Sequence, residues 1–228
     1  MNYAFVLMHG WGSSGDYWQN LTPLLGENND YFVYELGYFN NINQTSTQDL
    51  QNFIDSHQDD KIIGIGHSVG FIKLLEQNVN FDYVFGLQSF TNFLGSRPSQ
   101  LIQDNFNGFV NQCIADPVLT LTQLYENSRI YEYFADYVNL EGNINAQLVV
   151  DDLKDLAIDK SHLLNKIKEN YCIFATHDDQ AVPTFVVKDN FPENHVNFLD
   201  VEAGHGLGIL YADLVAREIF DMLEKMKI

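Results

Sequence analysis

Cysteine, positive charge and long apolar runs are all scarce in this 228-residue chain. Two cysteines, Cys113 and Cys172, are too few for a disulfide scaffold. Cys172 lies in the apolar run Tyr171-Cys172-Ile173-Phe174-Ala175 and reads as a small buried hydrophobe. Free thiols fit a reducing compartment. No apolar stretch approaches the roughly 18–20 residues of a membrane span. The first residues also lack the basic region and cleavage site of a secretory signal, so a cytoplasmic protein is expected. Twelve Lys and Arg face 31 Asp and Glu, a formal charge of −19. A field of that sign repels phosphate backbones and anionic lipid, and no basic stretch reverses it locally. Nucleic-acid and membrane partners are therefore not expected.

What is present is ordinary globular material, 46% apolar and 19% charged. A chain this long buries about 70% or more of its unfolded surface and needs no metal staple. Short β-rich runs at 3–8, 31–36, 61–66, 83–88, 171–176 and 195–201 alternate with helical patterns at 16–25, 47–56, 68–78 and 207–226. Several of the runs are apolar at consecutive positions, as in a parallel sheet covered on both faces. The alternation predicts an α/β fold, a mostly parallel six-stranded sheet with right-handed crossovers. From 91 to 160 no strand is evident, only amphipathic pieces at 101–114, 119–125 and 130–137. A segment of that length has structure of its own. It reads as a helical lid inserted into a core made of 1–90 and 161–228.

Gly66-His67-Ser68-Val69-Gly70 follows the third strand and opens a helix. A strained strand-to-helix turn of this kind lifts a serine hydroxyl above the sheet, and the glycines admit close backbone. A hydroxyl is a weak nucleophile until a base takes its proton. His205 is placed for that role, in Ala203-Gly204-His205-Gly206 between the last strand and the last helix. His67 adjoins Ser68 along the backbone and is expected to point elsewhere. Asp178 and Asp179 stand at the end of the fifth strand. The frame Asp179-Gln180-Ala181-Val182-Pro183 favours Asp179 as the partner of His205, with Asp178 the alternative. The order Ser68, Asp179, His205 is the nucleophile–acid–histidine order of this sheet type. His9-Gly10-Trp11-Gly12 follows the first strand, so backbone N–H groups of Trp11 and Val69 are candidates for an oxyanion hole. His177, Asp178 and His195 lack a metal-ligand spacing, and neither metal nor other cofactor is implied.

On these motifs the chain resembles the α/β-hydrolases, from Val6-Leu7-Met8-His9-Gly10-Trp11-Gly12 to the terminal helix. Within them it is similar to the small carboxylesterases typified by the pimeloyl-acyl-carrier-protein methyl ester esterase of biotin synthesis. Leu153-Lys154-Asp155-Leu156 to Asp159 adds to that likeness. The chain departs from it where relatives carry Asp-x-Pro-Gly-x-Gly, having Glu35-Leu36-Gly37-Tyr38-Phe39, and at Phe71, where a further glycine is common. The resemblance implies serine-dependent hydrolysis of a small ester through an acyl-enzyme. A thioesterase with the same triad, or a silent binding protein on the same scaffold, is the alternative. Trp11, Phe93 and Phe109 are candidate substrate contacts, and Leu94, Phe106, Leu119, Leu121, Tyr125, Tyr131 and Phe134 are further candidates for the pocket wall. Segment 91–160 holds Arg97, Arg129, Lys154 and Lys160 against ten acidic residues, which disfavours an acidic acyl-carrier protein as partner.

Overall fold

A computed structural model describes residues 2–26 and 29–226; Met1, Glu27, Asn28, Lys227 and Ile228 lie outside the described residues. Six parallel strands form one sheet: β1 (Tyr3–Met8), β2 (Asp30–Tyr34), β3 (Lys61–His67), β4 (Tyr83–Leu87), β5 (Tyr171–Ala175) and β6 (Val196–Phe198). Their spatial order is β2-β1-β3-β4-β5-β6. The central strands are buried along nearly their whole length, which explains their runs of consecutive apolar residues. In register, Met8 lies beside Gly66, His67 beside Leu87, Leu87 beside Phe174 and Ala175 beside Phe198. One carboxyl edge therefore presents the chain after 8, 67, 87, 175 and 198. Strand order reverses between β1 and β3, and the crevice at such a reversal is where open α/β sheets bind ligands.

The helices are α1 (Thr47–Ser56), α2 (Val69–Glu76), α3 (Gln100–Ala115), α4 (Pro117–Asn127), α5 (Tyr131–Asn139), α6 (Ala146–Asp155), α7 (Thr184–Asn190), α8 (Leu207–Leu210) and α9 (Ala212–Met226). Helices α3 to α6 run in succession between β4 and β5. Pro117 starts α4 at a position where its missing N–H has no partner to lose, and Asp116 caps it by accepting from the Leu119 N–H. Fully buried Leu121, Tyr125 and Phe134 pack this segment together, the last two with rings 5.1 Å apart.

Several sequence expectations need correction. Residues 16–25 form two short 3₁₀ turns, Gly15–Trp18 and Thr22–Leu24, since Pro23 cannot donate to a continuous helix. The helix expected over 207–226 breaks at Tyr211. Its first turn is fixed by the Gly208 N–H, which donates to the Tyr17 hydroxyl, and a Cβ on Gly208 would sit 2.8 Å from the Tyr17 ring. The edge strands are shorter than expected. β2 ends at Tyr34 as Glu35 turns inward, and β6 spans three residues. Short edges limit pairing with other chains. No helix among the described residues is long and apolar enough to cross a membrane.

Candidate active site

β3 delivers the chain into a tight elbow. Ser68 has φ 54° and ψ −126°, a left-handed backbone that is costly for a residue with a side chain. The elbow closes only because its flanks are glycine. A Cβ on Gly66 would lie 2.4 Å from the Phe71 backbone, and one on Gly70 would lie 2.1 Å from the Met8 carbonyl oxygen. Phe71, the departure noted in sequence, is fully buried with its ring edge-on to Phe191. The Ser68 N–H donates to the Leu87 carbonyl at 2.9 Å, tying the elbow to the next strand. Val69 is then the first residue of α2, and among the described residues its N–H has no acceptor.

His205 stands on the loop after β6, with Nδ1 2.8 Å from Asp179 Oδ2. Both side chains are buried. The other Asp179 oxygen accepts from the Ala181 N–H at 2.8 Å and the Val182 N–H at 3.0 Å. That turn is the physical content of the Asp-x-x-Val-Pro frame: the carboxylate is held by the backbone that follows it. Asp178 points away from the imidazole. Its Oδ2 accepts from the Gly204 N–H at 2.9 Å and lies 3.7 Å from the Arg129 guanidinium. Asp178 therefore holds the loop, while Asp179 holds the ring.

Gln88 is a site residue that sequence reading missed. It is fully buried, with φ 50°. Its amide nitrogen donates to the Gly204 carbonyl and to Thr176 Oγ1, and its amide oxygen accepts from the Leu207 N–H at 3.0 Å. The loop bearing His205 is thus gripped from both sides, and the signal was only a polar residue at the end of an apolar strand. His67 bonds the His205 loop rather than Ser68. Its ring stacks on Tyr17 at 4.0 Å and lies 4.5 Å from the His205 ring. Nε2 donates to the His205 carbonyl at 3.0 Å, and buried Nδ1 has no partner among the described residues. Burial, and then the charge of His205, hold the His67 pKa well below the usual histidine value despite that hydrogen bond. His67 is a neutral support beneath His205.

The turn after β1 completes the arrangement. Gly12 has φ +64°, and a Cβ there would lie 2.3 Å from Leu121 of α4. The Trp11 indole N–H donates to the Val149 carbonyl at 2.7 Å, and its ring meets Phe109 edge-on. The Trp11 backbone N–H has no acceptor among the described residues. Beneath the turn, His9 Nε2 lies 2.8 Å from Glu35 Oε1, and Glu35 Oε2 accepts from the Gly15 N–H at 2.8 Å. Burial raises the Glu35 pKa, but His9 and the N–H groups of Gly15 and Gly37 outweigh it and hold the carboxyl below its ordinary value. The departure at Glu35 thus keeps a carboxylate under the turn.

Ser68 and His205 line one cavity of about 400 Å³ with Trp11, Phe93 and Phe109. Phe90, Leu124, Leu153, Leu156, Ala181 and Val182 add to its apolar wall. Of the other aromatic and aliphatic candidates, Phe106 packs behind Phe93, whereas Leu121, Tyr125 and Phe134 fasten the helices together and Leu119 is exposed. His177 stacks on Phe198, and His195 sits between Glu169 and the Tyr171 carbonyl. Among the described residues no group of three or more His, Cys, Asp or Glu is gathered as metal ligands would be.

The fold recurs in solved structures. A bromoperoxidase from Bacillus anthracis is 16% identical, with a TM-score of 0.75 over 98% of this chain and 92% of that one. A hydrolase from Oleispira antarctica is 16% identical, with a TM-score of 0.74 over 98% and 91%. A lipase-esterase related protein from Clostridium acetobutylicum is 18% identical, with a TM-score of 0.65 over 96% and 93%. The chain has the α/β-hydrolase fold. No family model and no curated protein matches it.

Proposed function

We propose that the protein is a serine hydrolase that cleaves carboxylic esters. The observation that carries this reading is His205, paired with Asp179, lining the same cavity as Ser68, whose backbone is strained as an activated nucleophile's often is. Ser68 Oγ attacks the ester carbonyl while His205 Nε2 takes its proton, and Asp179 fixes the tautomer by receiving Nδ1–H. Negative charge grows on the carbonyl oxygen, where the N–H groups of Trp11 and Val69 stabilise it. As the tetrahedral intermediate collapses, the alcohol leaves with the proton from His205. Water, deprotonated by His205, then attacks the acyl-enzyme and releases the acid, restoring Ser68. The name lipase-esterase related, borne by one structural neighbour, is in keeping with this chemistry.

A small ester is the substrate, and the −19 charge argues against docking of an acidic carrier protein or of an anionic thioester. Both thiols are free and buried, in keeping with a cytoplasmic location. The test is hydrolysis of p-nitrophenyl acetate by the native protein and its Ser68→Ala variant, with fluorophosphonate labelling mapped by mass spectrometry. The expected result is a loss of about 10⁴–10⁶ in kcat and a label on Ser68 alone. Near-normal turnover by the variant overturns the mechanism. Parallel assay of matched oxygen and thiol esters decides between esterase and thioesterase.

A further inference from the structure

The wall of the 400 Å³ cavity is uneven in chemistry and, among the described residues, contains no Lys, Arg, Asp or Glu. Much of the lining is apolar, including Phe90, Phe93, Phe109, Leu124, Leu153 and Leu156. The other polar lining residues, apart from Ser68, Ser128 and His205, are the exposed amides Gln123, Asn127 and Gln180. Of the cations on neighbouring elements, Lys154, beside lining residue Leu153, is exposed to solvent, and three others are engaged elsewhere. Arg129, next to lining residue Ser128, turns to Asp178 and Glu202, while Lys73 pairs with Asp152 and Lys160 with Glu76. The indole N–H of Trp11 is bound to Val149, so the tryptophan is held with its polar atom already satisfied.

Resting on the ester-hydrolase reading, we propose that the substrate is an ester uncharged at both ends, with a linear apolar acyl chain of roughly eight to ten carbons and a polar, neutral alcohol at the amide rim. The size follows from volume. At about 30 Å³ per non-hydrogen atom, the density of liquid water, the cavity holds about a dozen such atoms. The neutrality follows from desolvation. A carboxylate at the far end of the chain would lose water among phenylalanine and leucine side chains, with no cation among the described lining residues to receive it. Each methylene that moves from water to this wall raises kcat/KM by up to about fourfold until the cavity is full.

The experiment measures kcat/KM on the native full chain for p-nitrophenyl acetate, butyrate, octanoate, decanoate and dodecanoate. The mono-p-nitrophenyl ester of octanedioic acid is the charged match to octanoate, and all are run at low and high salt. The expected profile rises to octanoate or decanoate and falls at dodecanoate. The charged ester is slower than octanoate by roughly 100-fold or more, and salt recovers little of that loss because desolvation is not a long-range effect. Leu153→Trp, which fills the wall, lowers the octanoate-to-acetate ratio at least about tenfold. A flat profile, an optimum outside eight to ten carbons, parity of the charged ester or an unmoved ratio overturns the substrate class while leaving the hydrolase reading in place. No turnover of any ester, with no fluorophosphonate labelling, overturns both.

Discussion

Two adjacent carboxylates and two facing imidazoles divide the work of the site. Asp179 bonds the His205 ring and Asp178 bonds the backbone of the same loop, so their amide variants differ in kind. Asp179→Asn disturbs the tautomer of His205 and is expected to lower kcat about 10⁴-fold. Asp178→Asn keeps an acceptor for the Gly204 N–H and is expected to lose far less; steady-state kinetics on both variants checks the contrast, and reversal contradicts the assignment. Ser68, Asp179 and His205 were legible because each sits in a backbone motif whose geometry demands particular neighbours. His67 was not, because ring direction depends on Tyr17 and His205, which meet it only in three dimensions. Gln88 was illegible for the same reason: its partners come from β5 and from the loop after β6.

Among elements, the loop after β6 and the turn after β1 do most of the positioning, and each leans on a buried polar group. Gln88→Leu removes one of the two donors to the Gly204 carbonyl and leaves the Leu207 N–H without its partner. The expected cost is about 2–4 kcal/mol in urea unfolding, with kcat reduced more than KM is raised. Glu35 acts under the turn after β1. Its folded pKa is lowered, so its contribution to stability is complete above the ordinary carboxylate value of 4.5 and is lost as pH falls through the lower folded value. Glu35→Gln is therefore expected to lower the unfolding midpoint at pH 7 and to converge with the parent in acid; urea titrations at pH 7, 5 and 3 read it. Strand existence was evident from apolar runs and helix boundaries were not. Pro23 and the Gly208–Tyr17 contact interrupted patterns that periodicity alone would continue.

For the molecule as a whole, the sheet was legible because its central strands are buried on both faces. The helical cover was legible in position but not in detail, since amphipathic pieces do not reveal which apolar face meets a cavity and which meets another helix. Stability should carry the mark of His67. Its folded pKa is depressed, so unfolded chains bind the extra proton, and stability falls as pH drops below the usual histidine value of 6.5. The slope is up to about 1.4 kcal/mol per pH unit for one proton. Replacing His67 with glutamine should flatten it, as measured by unfolding between pH 7.5 and 5. Burial also pushes the Cys113 thiol up to about 11 and the Cys172 thiol up to about 12, so neither should react with a thiol reagent until the chain unfolds.

The fastening of α4 to the turn after β1 has a mechanical corollary. Leu121 fills the space left by Gly12, and the Tyr125 hydroxyl donates to the Gly12 carbonyl. The roof is therefore bolted to the same short arch of backbone that holds the Trp11 N–H. Raising the roof at α4 would pull on the arch that carries the Trp11 N–H, one of the two donors in the proposed mechanism. The cover over the cavity and the arch beneath it are thus one packed unit, and Gln123, Asn127 and Gln180 are the exposed amides at its margin.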